Sequence, residues 1–351
     1  MKTVIADKIA SVALHHGLTR ELRVSADIPC EEGVMVAVEI LNNKSTYNTL
    51  ELVSGRMAYL KRGDIIVGAL GHRKALFGYS GHLPTSLQPG DIVQVLNIGG
   101  VLGICDAINA TFGPPFDARV LGAVLEFPYL GERIGVPARV GKEKLQGDAP
   151  LETHGVPIVA IAGTSMDAGK TAAASAIVAR LRHLGYVVDG FKATGVALRR
   201  DILAMEDAGA RHTSIFTDFG VVTTTRANAA AVTRTMLNKL CAGQPDVVVF
   251  ELGDGILGTY GVDAILQDPE ISAAISCLLL CANDPVGATG GVDLLAKEFN
   301  LKCDLITGPA TDNKVGRDVV NERLGLPAIN AITDGADLGD AVAAVLQKKA
   351  S

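Results

Sequence analysis

Apolar and polar positions divide the chain into two regimes. Over residues 24–125, short β-prone runs are cut by Gly, Pro, Asn or Asp, most clearly at 34–41, 64–70 and 91–96. Runs of this length and spacing predict a sheet or small barrel. Gly63-Asp64 and Gly90-Asp91 each open a strand-like run after a polar turn, a hint of duplication too short to establish a repeat. From Pro157 the pattern changes. Residues 157–162 are continuously apolar, enter a Gly-bounded turn and lead into a helical stretch at 170–184. A parallel strand covered on both faces reads this way. Similar runs at 187–191, 246–251, 277–281 and 303–307, separated by helical stretches, extend a parallel sheet. The expected organisation is α/β: a β-rich N-terminal domain over 1–130, a polar, turn-rich linker over 131–155, and a mainly parallel α/β domain over 156–351.

Composition narrows the function. Thirty-two Lys and Arg against 38 Asp and Glu give a net charge of −6, which disfavours a nucleic-acid binder relying on overall basicity. Aromatics make up 4% of the chain and Trp is absent, leaving few stacking platforms for single strands. Six Cys without a C-x-x-C pair, most of them in apolar runs, read as reduced thiols of a cytoplasmic protein. No segment offers about 18 uncharged apolar residues and the N-terminus lacks a signal-peptide core, so no membrane association is expected.

The chemistry concentrates where the first strand of the second regime hands over to its helix: Gly163-Thr164-Ser165-Met166-Asp167-Ala168-Gly169-Lys170-Thr171. Backbone N–H groups of such a loop and of a helix N-terminus surround a polyphosphate, a Lys adds charge and a hydroxyl holds Mg²⁺. Five residues separate Gly163 from Gly169, one more than the usual G-x-x-x-x-G-K-[ST] spacing. Mg²⁺ beside phosphates takes one or two carboxylates as well. Glu251 closes an apolar strand before a Gly turn, and Asp254, three residues on, is either its alternative in that role or a substrate contact. Lys192 follows the second strand, either as a second cation for phosphate or substrate or as an exposed strand-end lysine. Asp201 stands at a helix start, where the dipole alone favours an acid.

These residues carry a family resemblance. The loop 163–171, with its extra residue, resembles the phosphate loop of dethiobiotin synthetase and related ATP-dependent ligases. Gly185-Tyr186 followed by Gly190-Phe191-Lys192 resembles the segment that brings that family a second lysine. Arg200-Asp201-Ile202-Leu203-Ala204 is similar to its Asp-bearing helix start, and Phe250-Glu251-Leu252-Gly253-Asp254-Gly255 to its Val-Glu-Gly-Ala-Gly-Gly turn. The four matches come in the family's order and cover roughly residues 157–260. The resemblance implies a P-loop NTPase domain that binds ATP on residues 163–171. It also implies that Thr171, Asp201 and Glu251 ligate Mg²⁺, and that Lys170 and Lys192 are the phosphate and reaction-centre cations. The turn after the acid departs from the family, so its substrate contacts do not carry over; Asn313-Lys314 lacks the Asp of a guanine reader, and ATP is the expected nucleotide. The residues ahead of the loop have no counterpart in dethiobiotin synthetase. A loosely similar two-domain plan is that of D-glutamate N-acetyltransferase-type proteins, which implies an alternative, a loop gripping a CoA-type acyl donor.

The leading expectation is therefore an ATP-dependent enzyme that phosphorylates a carboxylate or carbamate-like acceptor of a small anionic substrate before ligation or ring closure. The alternatives are the CoA-type acyltransferase and a nucleotide-hydrolysing switch or assembly factor. A homodimer is compatible with such folds but not required. Outside the loop, residues 71–82 pack cations, two His, Tyr and Ser among glycines, as either an anionic-substrate site or a basic hairpin. Residues 287–291 either line a ligand crevice or cap a helix. His15, His16 and His183 lack the spacing of a metal site, and no G-x-S-x-G nucleophile elbow occurs at a strand-to-helix turn.

Overall fold

The computed structural model describes residues 1–14, 18–128, 134–147 and 149–350. His15, His16 and Gly131, at the head of the expected linker, lie outside them. The chain forms two compact units. The first comprises Met1–Lys144 together with Val196–Arg200 and Phe216–Thr223, and the second holds the remainder.

The first unit is built on five strands whose pairing closes on itself. Phe116–Glu126 pairs with Met35–Ile40, which pairs with Ile65–Leu70, which pairs with Val101–Ala107. Ile92–Val95 then pairs with both Val101–Ala107 and Phe116–Glu126, completing a small barrel. Alternation decides which residues face in: Phe116, Ala118 and Val120 are buried while Asp117 and Arg119 point out. The Gly63-Asp64 and Gly90-Asp91 turns share one hydrogen-bond scheme. Asp64 and Asp91 accept from the N–H of Lys61 and Gln88 at 2.7 and 2.8 Å, and the Gly63 and Gly90 N–H groups bond Ile40 O and Val120 O, each at 2.8 Å. Both turns feed a barrel strand.

The segments from the C-terminal half complete this unit's interior. Ala197 and Val222 are fully buried in its apolar core. The side chain of Asn97 donates to Ala197 O at 2.7 Å, and Glu32 accepts the N–H groups of Val222 and Thr223 at 2.9 and 3.0 Å.

The second unit is a six-stranded parallel sheet with helices. Its elements in chain order are β1 (Ile158–Gly163), α1 (Lys170–His183), β2 (Val188–Lys192), α2 (Arg200–Asp207), β3 (Thr213–Ile215), α3 (Ala229–Cys241), β4 (Val247–Glu251), α4 (Val262–Gln267), α5 (Pro269–Ala274), β5 (Ile275–Cys281), α6 (Pro285–Phe299), β6 (Leu305–Thr307), α7 (Lys314–Leu324) and α8 (Gly335–Ala350). The strand order is β3-β2-β4-β1-β5-β6, all neighbours parallel. Strand β1 is buried at every position, as its unbroken apolar run requires. Ala173, Ala174, Ile177, Val178 and Leu181 form the stripe by which α1 joins the core, and Arg180 clamps α8 through Asp340 at 2.8 and 2.9 Å. Residues 287–291 lie inside the first turns of α6. Asp284 accepts the Gly287 N–H at 2.8 Å as its N-cap, with Pro285 at the first helical position.

Candidate functional site

Strand β1 ends at Gly163 and α1 begins at Lys170, so the loop between them crosses the carboxyl edge of the sheet beside the central strand. Gly169, directly before the helix, has φ +90°, a backbone conformation that glycine adopts without strain. Its geometry turns the chain so that α1 presents its first N–H groups to the loop. Strand, loop and helix together form a P-loop. Thr164 N–H is anchored on Cys281 O of β5 at 2.9 Å, and Ser165 Oγ accepts from Asn283 at 2.6 Å and donates to Met166 O at 2.8 Å. Asp167 adopts φ +55° and Ala168 is fully buried. The Lys170 side chain folds back over the loop, its ammonium donating to Ser165 O at 2.7 Å.

Two strand ends and one helix start deliver the remaining groups. Lys192 is the last residue of β2, Glu251 the last of β4, and Asp201 lies in the first turn of α2. Thr171 Oγ1 stands 3.2 Å from Asp201 Oδ1 and 3.3 and 3.2 Å from the two Glu251 oxygens. The Lys192 ammonium is paired with the other Asp201 oxygen. Lys170, Lys192, Asp201 and Glu251 are each at most 6% exposed. Burying four formal charges in one cluster is costly unless they answer one another or a ligand.

Burial pushes the Glu251 carboxyl up to about 7, and the neighbouring Asp201 charge adds to the effect; Lys192, Lys170 and the Thr171 hydroxyl oppose it. The buried thiol of Cys281, at the end of β5, is pushed by burial to about 12 and is no nucleophile. Asp254 is buried in the turn after Glu251 with φ +69°, its carboxylate against Gly258. Gly253 brings that turn against the end of β2. Thr194 Oγ1 donates to Gly253 O at 2.9 Å, and a Cβ on Gly253 would lie 3.2 Å from Lys192 Cε, with the Thr194 carbonyl closer still.

Sequence reasoning passed over several residues. Thr194 and Asn283 buttress the site without belonging to its motifs, although each follows a strand end, where such roles concentrate. Glu51 carries no sequence signal at all. It is fully buried at the end of strand Thr49–Glu51, and its carboxylate accepts the N–H of Arg199 at 2.8 Å and of Arg200 at 2.7 Å, at the start of α2. His183 lies in the last turn of α1, where a basic side chain suits the helix dipole.

No family model matches the chain, and no curated protein matches it. Among solved structures it is similar to signal recognition particle receptor FtsY from Elizabethkingia anophelis, at 14% identity and TM-score 0.37, over 53% of this chain and 64% of that one. It is also similar to hydrogenase maturation factor HypB from Archaeoglobus fulgidus (13%, TM-score 0.38, 55% of this chain and 91% of that one). A DUF1611 family protein from Anabaena variabilis gives 16% identity and TM-score 0.43, over 59% of this chain and 64% of that one. The chain thus spans less than two thirds of the FtsY and DUF1611 proteins. The assignment of a P-loop rests on the strand, loop and helix themselves.

Proposed function

We propose that the second unit binds a nucleoside triphosphate with Mg²⁺ and cleaves its terminal phosphate bond. The observation that carries this is the meeting of Thr171, Asp201 and Glu251 within hydrogen-bond distance, beside the P-loop lysine. The donor set fits Mg²⁺: a hydroxyl and two carboxylates are hard oxygens, and a small donor set leaves coordination positions for phosphate and water. Held by Thr171, Asp201 and Glu251, such an ion would supply charge neutralisation at the phosphates. The chain's own residues do the rest. The loop N–H groups and the α1 N-terminus hold the phosphates, and Lys170 leaves Ser165 O for the β- and γ-oxygens. Lys192, at the end of β2, neutralises the phosphoryl group as it departs.

Hydrolysis, with water as acceptor and the chain acting as a switch or assembly factor, needs nothing beyond this set. Transfer to the oxygen of a small acid, as in dethiobiotin synthetase, is the second reading. The buried Lys192 favours it, because a second cation beside the metal ligands suits an anionic acceptor. A CoA-type diphosphate would use the loop but would leave the buried Asp201 and Glu251 without a task.

Calorimetric titration of Mg·ATP, Mg·GTP and CoA into the wild-type chain and Lys170→Ala tests the proposal. Binding of a Mg·nucleoside triphosphate that Lys170→Ala loses, with phosphate release that requires Mg²⁺, is the expected result. Binding of CoA alone, or of no nucleotide, overturns it. Nucleoside diphosphate release stimulated by an acidic metabolite, with the phosphoryl group recovered on that metabolite, selects transfer over hydrolysis.

A further inference from the structure

The cation-rich segment 71–82 of the first unit is organised around Arg73, which is 4% exposed. Its Nη1 donates to Leu96 O and to the Tyr47 hydroxyl, the latter at 3.2 Å. Its Cζ lies 6.0 Å from the centroid of the Tyr47 ring. The guanidinium rests against the bare Cα of Gly78, where a Cβ would stand 2.5 Å from Nη2 and 2.9 Å from Cζ. The side chain is thus fixed from three directions.

One edge of it is not answered. Nε is buried and has no hydrogen-bond partner among the described residues. Among those residues no carboxylate pairs with Arg73, and Asp106 of the adjoining strand is taken by His82 Nδ1 at 2.7 Å. An arginine stays charged, so a buried guanidinium with only neutral partners is costly until an anion joins it. The edge from Nε to Nη2 is one that carboxylates meet side-on. Lys44, the other buried-side cation of the cluster, makes no such demand. Its ammonium donates to Tyr79 Oη at 3.0 Å, to Phe112 O at 2.9 Å and to Pro114 O.

Beside Arg73 stands an aromatic wall. Tyr47 stacks on Phe112 at 4.7 Å between centroids, Phe77 meets Phe112 edge-on at 5.1 Å, and Tyr79 meets Tyr47 edge-on at 5.6 Å. Phe77, at the edge of the wall, is 42% exposed, and Leu76, its neighbour in the chain, 64%.

We propose that Arg73 and this wall form a binding site for a small organic carboxylate with an apolar body, the carboxylate on the Nε edge and the body on Phe77 and Leu76. The site stands independently of the nucleotide reading. Because the chain has no Trp, its emission comes from six Tyr, two of which, Tyr47 and Tyr79, belong to this wall. Hexanoate, inorganic phosphate and chloride at matched ionic strength are titrated into the full chain, as wild type, Arg73→Lys and Phe77→Ala. Arg73→Lys keeps the charge and loses the fork; Phe77→Ala trims an exposed ring and leaves Arg73 in place.

The expected result is a saturable tyrosine response and a raised Tm with hexanoate, absent with chloride. Affinity should fall about tenfold in Arg73→Lys, the loss of one charge-assisted bond, and measurably in Phe77→Ala. A response to phosphate but not hexanoate overturns the carboxylate assignment. No saturable response in wild type, or equal affinity in all three chains, overturns the site.

Discussion

Glu251 makes the ligand-free protein sensitive to pH in a defined direction. Its folded-state value of about 7 lies above the ordinary 4.5, so between those values the native chain holds a proton that the unfolded chain has released. The contribution is full below about pH 4.5 and is lost as the pH rises through about 7. Chemical denaturation of wild type and Glu251→Gln across this window should therefore show the wild type losing stability relative to the variant as pH rises. Saturating Mg²⁺ should flatten the wild-type slope, because a bound divalent ion favours the ionised carboxylate. A wild-type slope equal to that of Glu251→Gln would remove Glu251 from the explanation. By the same linkage, Mg²⁺ uptake near pH 6 should release protons, measurable from the buffer dependence of the binding enthalpy.

At the scale of elements, the Val196–Arg200 segment is held within the first unit by a carboxylate that lies far away in sequence. Glu51→Ala would leave the Arg199 and Arg200 N–H groups without their acceptor, at a cost of about 2 kcal/mol readable as a shift in urea midpoint. Glu51→Gln, which keeps one acceptor oxygen, should lose less. An unchanged midpoint in Glu51→Ala would mean that solvent replaces the carboxylate.

Elements differ in how far the sequence discloses them. The β1–loop–α1 unit is legible because a continuous apolar run and Gly-Lys-Thr coincide, and β4 and β5 are legible from apolar runs that the fold buries throughout in β4 and over Cys277–Cys281 in β5. The barrel is legible as strands but not as a closed ring. Nothing in Ile92–Val95 says that it pairs on both sides, since alternation fixes a face and not a partner. Residues 287–291 showed turn-like glycines, yet Asp284-Pro285 just ahead is a helix start, and the cap outweighs the glycine cost. Glu51 could not be found from its neighbours, because a buried acid at the end of a three-residue strand has no periodicity to betray it.

For the whole molecule, the two units are not consecutive lengths of chain. The first recovers Val196–Arg200 and Phe216–Thr223 after the second has begun, and it buries Ala197 and Val222 in its own core. A fragment starting at residue 145 would expose those two apolar segments, and one ending at 144 would lack them. Both fragments should express poorly or bind a hydrophobic dye, while the full chain does neither; a well-folded, dye-free 1–144 fragment would refute this. Synthesis on the ribosome meets the same constraint. A nascent chain of 144 residues holds every barrel strand but not the whole of the apolar core, whose last member, Val222, arrives later, so its early translation intermediates wait unfinished while the P-loop is being made.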